Sequence, residues 1–287
     1  MINKIKLNIG ASPIWHSKNW HILDHKLKET NNEKIAGEAT NIKLKNNSCS
    51  IIFCSHVIEH IPHYNLPKTI VEMNRVLSKG GIIRVLTPDL EKICRAYVNK
   101  NEFFFKKAKQ EDESIRTDLG LGGMLMNFIV SPGQDTVLLD RNLNKFIGGY
   151  AHLYNYDYHM LSKIFRICGF KCRKAKFNDS KIKELREPLH IEGLKPVWKN
   201  LNQKFYNKHG LIHKLIKGKY KINFKVTGFD RDPITSLIIE AKKVKNVDKQ
   251  KIDNYFNQSK NNYNRYSRSL LTDKKFLKKM KQKKIKF

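Results

Sequence analysis

The sequence predicts an α/β fold with a mostly parallel sheet. Three observations carry that reading. The run Ile51 to Val57 is rich in apolar residues and unbroken, as in a strand covered on both faces. An amphipathic segment follows it, with Ile70, Met73, Val76 and Leu77 on one helical face. A second apolar run, Ile82 to Leu86, then completes a strand–helix–strand unit, which is a parallel crossover by default.

The other elements follow in chain order. Ile5 to Gly10 (IKLNIG) reads as a strand entering a turn, and Trp20 to Asp24 (WHILD) as a second strand ending in a carboxylate. Ile35 to Thr40 (IAGEAT) is a weaker third. Pro67 suits the first turn of the helix that runs to Leu77. Gly80-Gly81 reads as the stop before the next strand. A helix is expected from Asp89 to about Tyr97, and another over Tyr156 to Cys168, closed by Gly169-Phe170. Lys171 to Phe177 and Thr235 to Ala241 are expected strands. Between these lie two insertions, about 100–150 and 178–232. The first holds a Phe- and Lys-rich helix candidate and the stretch Leu119-Gly-Leu-Gly-Gly123, read as a flexible loop rather than a phosphate cradle. The expected division is one domain over 1–244 and a basic tail over 245–287, disordered or helical.

Composition narrows the function classes. A chain of 287 residues can build a sizeable core without staples. Five scattered cysteines (Cys49, Cys54, Cys94, Cys168, Cys172) form no CxxC pair, which fits a reducing, cytoplasmic compartment. No leader is visible at Met1. The longest uncharged stretch, Leu119 to Gln134, has 16 residues broken by Gly and Pro. That is short of the about 20 apolar residues of a membrane span. The net charge of +30 is uneven, since Ala241 to Phe287 carry 16 Lys and Arg against three Asp. Such a tail is read first as a solvated appendage, and second as a weak contact with anionic lipid or RNA.

In a parallel sheet four strand ends meet on one edge. They bring Gly10-Ala11-Ser12, Asp24, Glu38-Ala39, and Ser55-His56 through Glu59-His60. A glycine there lets backbone come close to a ligand. A carboxylate ending the second strand can accept hydrogen bonds from a ribose diol, and a third acidic corner can receive an adenine amino group. A dinucleotide is disfavoured, because GxGxxG is missing and only about ten residues link the first two strands. No GxxxxGK[ST] phosphate loop occurs.

In that order, LNIGAS, WHILD, GEATNI, SIIFCSHVIEHIP and EMNRVLSKGGIIRVLTPDL resemble a class I S-adenosylmethionine-dependent methyltransferase of the type 11 kind. The likeness spans about Ile5 to Tyr97, Tyr156 to Phe177 and Thr235 to Ala241. It implies a Rossmann-like sheet with helices on both faces and an antiparallel last strand. It also implies S-adenosyl-L-methionine as cofactor. Gly10 would lie under its methionine part, Asp24 would take the ribose hydroxyls, and Glu38 with Ala39 would flank adenine. Ser55 and His56 would face the reactive end, with Glu59 and His60 matching a Glu-His pair of the family. Two departures stand out: Ser12 replaces a glycine, and Glu38 replaces the more usual Asp.

The catalytic candidates are therefore His60, His56 and Glu59, with His60 the natural base near neutral pH. The structural alternatives are a satisfied, partly buried histidine for His56, a loop-orienting residue for His60, a loop cap for Asp24 and a surface residue for Glu38. No metal-ligand spacing is read: His190 and Glu192 lack partners. His152, Tyr154, Tyr156 and His159 either cover an acceptor pocket or are ordinary packing. The expected reaction is methyl transfer to a small-molecule or saccharide acceptor on oxygen. The alternatives are an RNA-directed enzyme using the basic tail, or a non-catalytic adenosine-binding module. No NPPY or DPPY stretch of amine-methylating nucleic-acid enzymes is present.

Overall fold

A computed structural model describes residues 4–11, 19–111, 118–130, 151–176, 179–185, 212–216, 219–222, 235–248, 250 and 252–255. Among them a seven-stranded sheet forms the centre. Its strands are β1 (Ile5–Ile9), β2 (Trp20–Asp24), β3 (Lys34–Ala36), β4 (Cys49–Ser55), β5 (Leu77–Pro88), β6 (Phe170–Ala175) and β9 (Ser236–Lys243). The order across the sheet is β3-β2-β1-β4-β5-β9-β6. The pairs from β3 to β5 are parallel. Strand β9 runs antiparallel to both its neighbours, as the family resemblance implied. The helices are α1 (Leu66–Val76), α2 (Leu90–Val98), α3 (Glu102–Glu111), α4 (Gly120–Val130) and α5 (Tyr158–Ile167). A small hairpin, β7 (Ile212–Ile216) with β8 (Lys219–Ile222), lies in the second insertion.

The continuous apolar run of β4 has the two-sided burial expected of it. Ile52 and Cys54 join the core cluster that takes in Ile70 and Met73 of α1 and Leu161 and Phe165 of α5. Ile51 and Phe53 point into the opposite cluster, with Trp20, Leu86, Leu185 and Ile238. Helices α2 and α5 start where Asp side chains cap them: Asp89 Oδ1 accepts from Lys92 N–H, and Asp157 Oδ1 from Met160 N–H. A cap at Asp157 sets the start of α5 at Tyr158, leaving Tyr156 to bridge Asp89 beside the sheet.

Three expectations need correction. Gly80-Gly81 is not a stop between helix and strand. The chain passes from α1 straight into a twelve-residue β5, and both glycines lie within it. A Cβ on Gly81 would sit 2.8 Å from the Leu77 side chain and 2.9 Å from the Ser50 carbonyl oxygen. The glycine thus marks close strand approach, a role it shares with turn formation. The third strand stops at Ala36, so Glu38 and Ala39 lie in the loop beyond it. Finally, Leu119 to Gly123 is not a flexible loop, because Gly120 to Val130 is helical. Its Met124 and Phe128 bury against Ile93, Ala96 and Phe105, and that packing outweighs the glycine penalty.

The antiparallel end of the sheet holds an ion triad around a buried glutamate. Arg84 on β5 and Arg173 on β6 both lie opposite Glu240 on β9. Arg84 Nη1 donates to Glu240 Oε1 at 2.8 Å, and Arg173 Nη2 to Oε2 at 2.7 Å. Beyond β9 the chain stays on the body. The Lys245 carbonyl accepts from Asn74 Nδ2, Val247 packs on the core and Ile252 is buried in it. No helix among the described residues is long and apolar enough to cross a membrane.

Candidate functional site

Parallel pairing brings the carboxyl ends of β1 to β4 to one edge of the sheet. Gly10, just after β1, adopts φ +70°, and its N–H donates to the Leu23 carbonyl at 2.7 Å. A Cβ there would lie 2.3 Å from Val57 Cγ2. Both the backbone conformation and the space exclude a side chain. Ala11 is half-buried, and Ser12 lies outside the described residues.

Asp24 is buried at the end of β2. Its Oδ1 accepts from Lys26 N–H at 2.8 Å, a local turn that orients the carboxylate. Its main-chain carbonyl accepts from Gly37 N–H and ties the loop after β3 to the same edge. That loop carries Glu38, which is exposed, and Ala39, which packs partly on the core. Its far side is held by α1. Glu72 Oε2 accepts from Ile42 N–H, and Arg75 donates to the Ile42 and Leu44 carbonyls. The Arg75 guanidinium, hydrogen-bonded to Glu72, holds that carboxyl below its usual range.

The corner after β4 is the most polar part of the edge. Ser55 Oγ is buried with no hydrogen-bond partner among the described residues. His56 has φ +53°, an uncommon conformation for a side-chain-bearing residue. Both of its ring nitrogens are engaged: Nδ1 lies 3.0 Å from Glu59 Oε1, and Nε2 lies 3.2 Å from Ser236 Oγ at the start of β9. The single turn Ile58–His60 then buries Glu59 completely. Thr87 Oγ1 donates to Glu59 Oε2 at 3.1 Å. Burial opposes the Glu59 charge, but the His56 hydrogen bond and the charges of His56, His60 and His152 outweigh it and hold the carboxyl below its ordinary range.

Residues 151–156 lie over this corner. The Glu59 carbonyl accepts from the N–H groups of Leu153 and Tyr154. His60 Nδ1 donates to the Ala151 carbonyl at 3.0 Å. His152 Nδ1 donates to the Phe128 carbonyl at 2.8 Å, and Asn155 Nδ2 to the Ile129 carbonyl. These two bonds fasten the last turn of α4 to the corner, where terminal carbonyls need donors. Burial pushes the His152 imidazole down, against the pull of Glu59. The aromatic-His cluster expected from sequence therefore divides. His152 faces His60, with ring centroids 5.1 Å apart, and Tyr154 stacks on His63 at 4.1 Å. Tyr156 is core, and His159 is exposed. His190 and Glu192 lie outside the described residues.

The residues that sequence reading left without a place at the corner are Val57, Thr87 and Ser236. Val57 ends the apolar run and by sequence differs in nothing from a core residue. Thr87 and Ser236 enter through sheet pairing, which no local pattern announces.

The edge suits an adenosine-bearing sulfonium cofactor. A side chain is excluded under Gly10, a buried carboxylate ends β2, and a buried hydroxyl at Ser55 lacks a partner. Comparison with known proteins agrees. Residues 19–85 match the family model described as "Methyltransferase domain". No curated protein matches the chain. Among solved structures it is similar to a SAM-dependent methyltransferase from Archaeoglobus fulgidus, at 15% identity over 84% of this chain and 86% of that one, with a TM-score of 0.38. An S-adenosylmethionine-dependent methyltransferase from Mesorhizobium loti shares 10% identity over 83% and 90%, with a TM-score of 0.36. The YcgJ protein of Bacillus subtilis shares 13% over 85% and 93%, with a TM-score of 0.37. The weight rests on the matched segment, which runs from the start of β2 into β5, and on the strand order with its reversed β9. The chain has the strand order of the class I methyltransferase fold, and its residues 19–85 are similar to the methyltransferase-domain family.

Proposed function

We propose that the enzyme methylates an oxygen of a small-molecule or saccharide acceptor, at the corner formed by Glu59, His60 and His152. The observation behind this reading is the pair of imidazoles whose Nδ1–H groups are both bonded to main-chain carbonyls. That bonding fixes the tautomer and leaves each Nε2 as the basic nitrogen. A hydroxyl acceptor gains from such a base, whereas a neutral amine is already nucleophilic.

The cofactor supplies a methyl group already activated on a sulfonium sulfur. Gly10 would let the backbone lie under its methionine part. Asp24 would accept from the ribose hydroxyls, and Glu38 with Ala39 would flank the adenine. Ser55 would donate its unpartnered hydroxyl near the reactive end. His56, held at both ring nitrogens, would position Glu59 rather than move a proton. His60 would take the acceptor proton. Holding the acceptor in line is the larger part of the work. The segment 245–287, with its excess of Lys, supports a second reading in which the acceptor is RNA.

The test is transfer from methyl-labelled cofactor to separate panels of hydroxylated small molecules and saccharides, amines, and RNA. Label in an ether linkage of the first panel, with turnover of His60→Ala reduced by about 100-fold or more, supports the proposal. Label only in amines or RNA overturns it.

A further inference from the structure

We infer that Glu59, His60 and His152 form a binding site for one borderline divalent cation of the zinc, cobalt and nickel class. One donor atom from each residue lies within 4.8 Å of the others. Bonds of about 2.0–2.1 Å to such an ion bring donors to within roughly 3–3.5 Å of one another. Small rotations of half-buried side chains would therefore close the set.

The surroundings of each donor favour this reading over a chance cluster. A metal-bound histidine typically gives its other ring N–H to a carbonyl or carboxylate, which fixes the tautomer and aims the lone pair. His60 does this with the Ala151 carbonyl and His152 with the Phe128 carbonyl. Glu59 is oriented in the same way, by His56 on Oε1 and Thr87 on Oε2. These outer contacts come from four separate parts of the chain: the end of β4, β5, the end of α4 and the segment starting at Ala151.

Charge adds a second, independent reason. Glu59 is wholly buried, and among the described residues the basic side chains set against it are His56, His60 and His152. A buried carboxylate without a lasting positive partner is costly. A divalent cation between the three groups supplies that partner.

The donor set selects the class of ion. Two imidazoles and one carboxylate suit zinc, cobalt and nickel, whereas magnesium and calcium favour all-oxygen sites. Three protein ligands leave at least one position open, as in catalytic rather than structural sites. Cation binding itself does not depend on the oxygen-acceptor reading above.

The experiment is a cobalt(II) titration of the full chain after chelator treatment, with neither cofactor nor acceptor added. Cobalt is read by its visible ligand-field absorption. The expected result is saturation at one equivalent, displacement by zinc, and no displacement by excess magnesium. His152→Ala and His60→Ala should each weaken binding by more than the roughly 10- to 100-fold typical of an outer-contact loss. His159→Ala, at an exposed histidine on α5, should bind like the parent chain. Circular dichroism confirms that each variant is folded. Absence of ligand-field bands in the parent chain overturns the inference whatever the variants do. Equal affinity in the parent and both histidine variants also overturns it, and displacement by magnesium overturns the assigned class.

Discussion

Replacing Gly10 with alanine tests the cofactor edge through its backbone. Two separate costs follow from the structure. Gly10 sits at φ +70°, and a side-chain-bearing residue there costs about 1–2 kcal/mol. The new Cβ would also fall 2.3 Å from Val57 Cγ2, an overlap that forces repacking at about 1–3 kcal/mol. Together they predict a loss of about 2–5 kcal/mol, or roughly 4–20 °C in melting temperature for a domain of this size. The overlap is with one side chain, so it can be separated from the backbone cost. In a Val57→Ala background the clash disappears, and Gly10→Ala should then cost only the about 1–2 kcal/mol of backbone strain. Urea unfolding of the parent, both single variants and the double variant measures the difference, and a coupling of about 1–3 kcal/mol is expected. Val57 begins the corner after β4, so the single Gly10→Ala variant should also bind cofactor more weakly. Identical costs in the two backgrounds would refute the packing argument. A total loss below about 0.5 kcal/mol would refute the conformational one as well.

Three further outcomes are expected. Glu240→Ala leaves Arg84 buried and Arg173 half-buried without their shared carboxylate, and should destabilise by about 3–5 kcal/mol in urea unfolding; a loss under about 1 kcal/mol would mean the triad is screened like a surface pair. A chain cut after Val244 loses the Lys245 carbonyl contact, Val247 and Ile252, whereas a chain cut after Tyr255 keeps them, so the first should be less stable by about 2–5 kcal/mol, the scale of losing one buried isoleucine; equal stability would detach that stretch from the body. Cys94 is exposed on α2, while burial pushes the thiols of Cys49 and Cys172 up to about 11, that of Cys168 to about 12 and that of Cys54 higher still; a thiol reagent should therefore label one cysteine quickly in the native protein, and mass mapping to any other site would contradict this burial pattern.

The parallel half of the sheet was legible because its strands are apolar runs that end in a glycine, a carboxylate or a polar corner. Gly10 and Asp24 stand out for that reason, and parallel pairing does bring them together with Ser55 and His56. Glu38 was legible as an acidic corner but not as an exposed one, since β3 ends at Ala36, two residues before it. Helix α4 was hidden by three glycines in its first turns; only its packing on α2 and α3 makes it a helix. The meeting of His60 with His152 was hidden for a different reason. The two lie on opposite sides of the first insertion, and hydrogen bonds to the Ala151 and Phe128 carbonyls bring them together. Metal-ligand motifs are recognised by short spacings, and this set has one only between Glu59 and His60. Glu240 likewise reads as a surface residue in TSLIIEA until its strand is placed between two arginine-bearing neighbours.

The central claim is that S-adenosylmethionine binds at the edge formed by Gly10, Asp24 and Ser55. Calorimetric titration of the cofactor into the parent chain, Asp24→Ala and His60→Ala measures it directly. The account predicts micromolar-range binding to the parent chain and little change for His60→Ala. For Asp24→Ala it predicts a loss of about 2–4 kcal/mol, roughly 30- to 1000-fold, as expected for hydrogen bonds to a charged group. No binding to the parent chain, or equal affinity in the parent and Asp24→Ala, would contradict it.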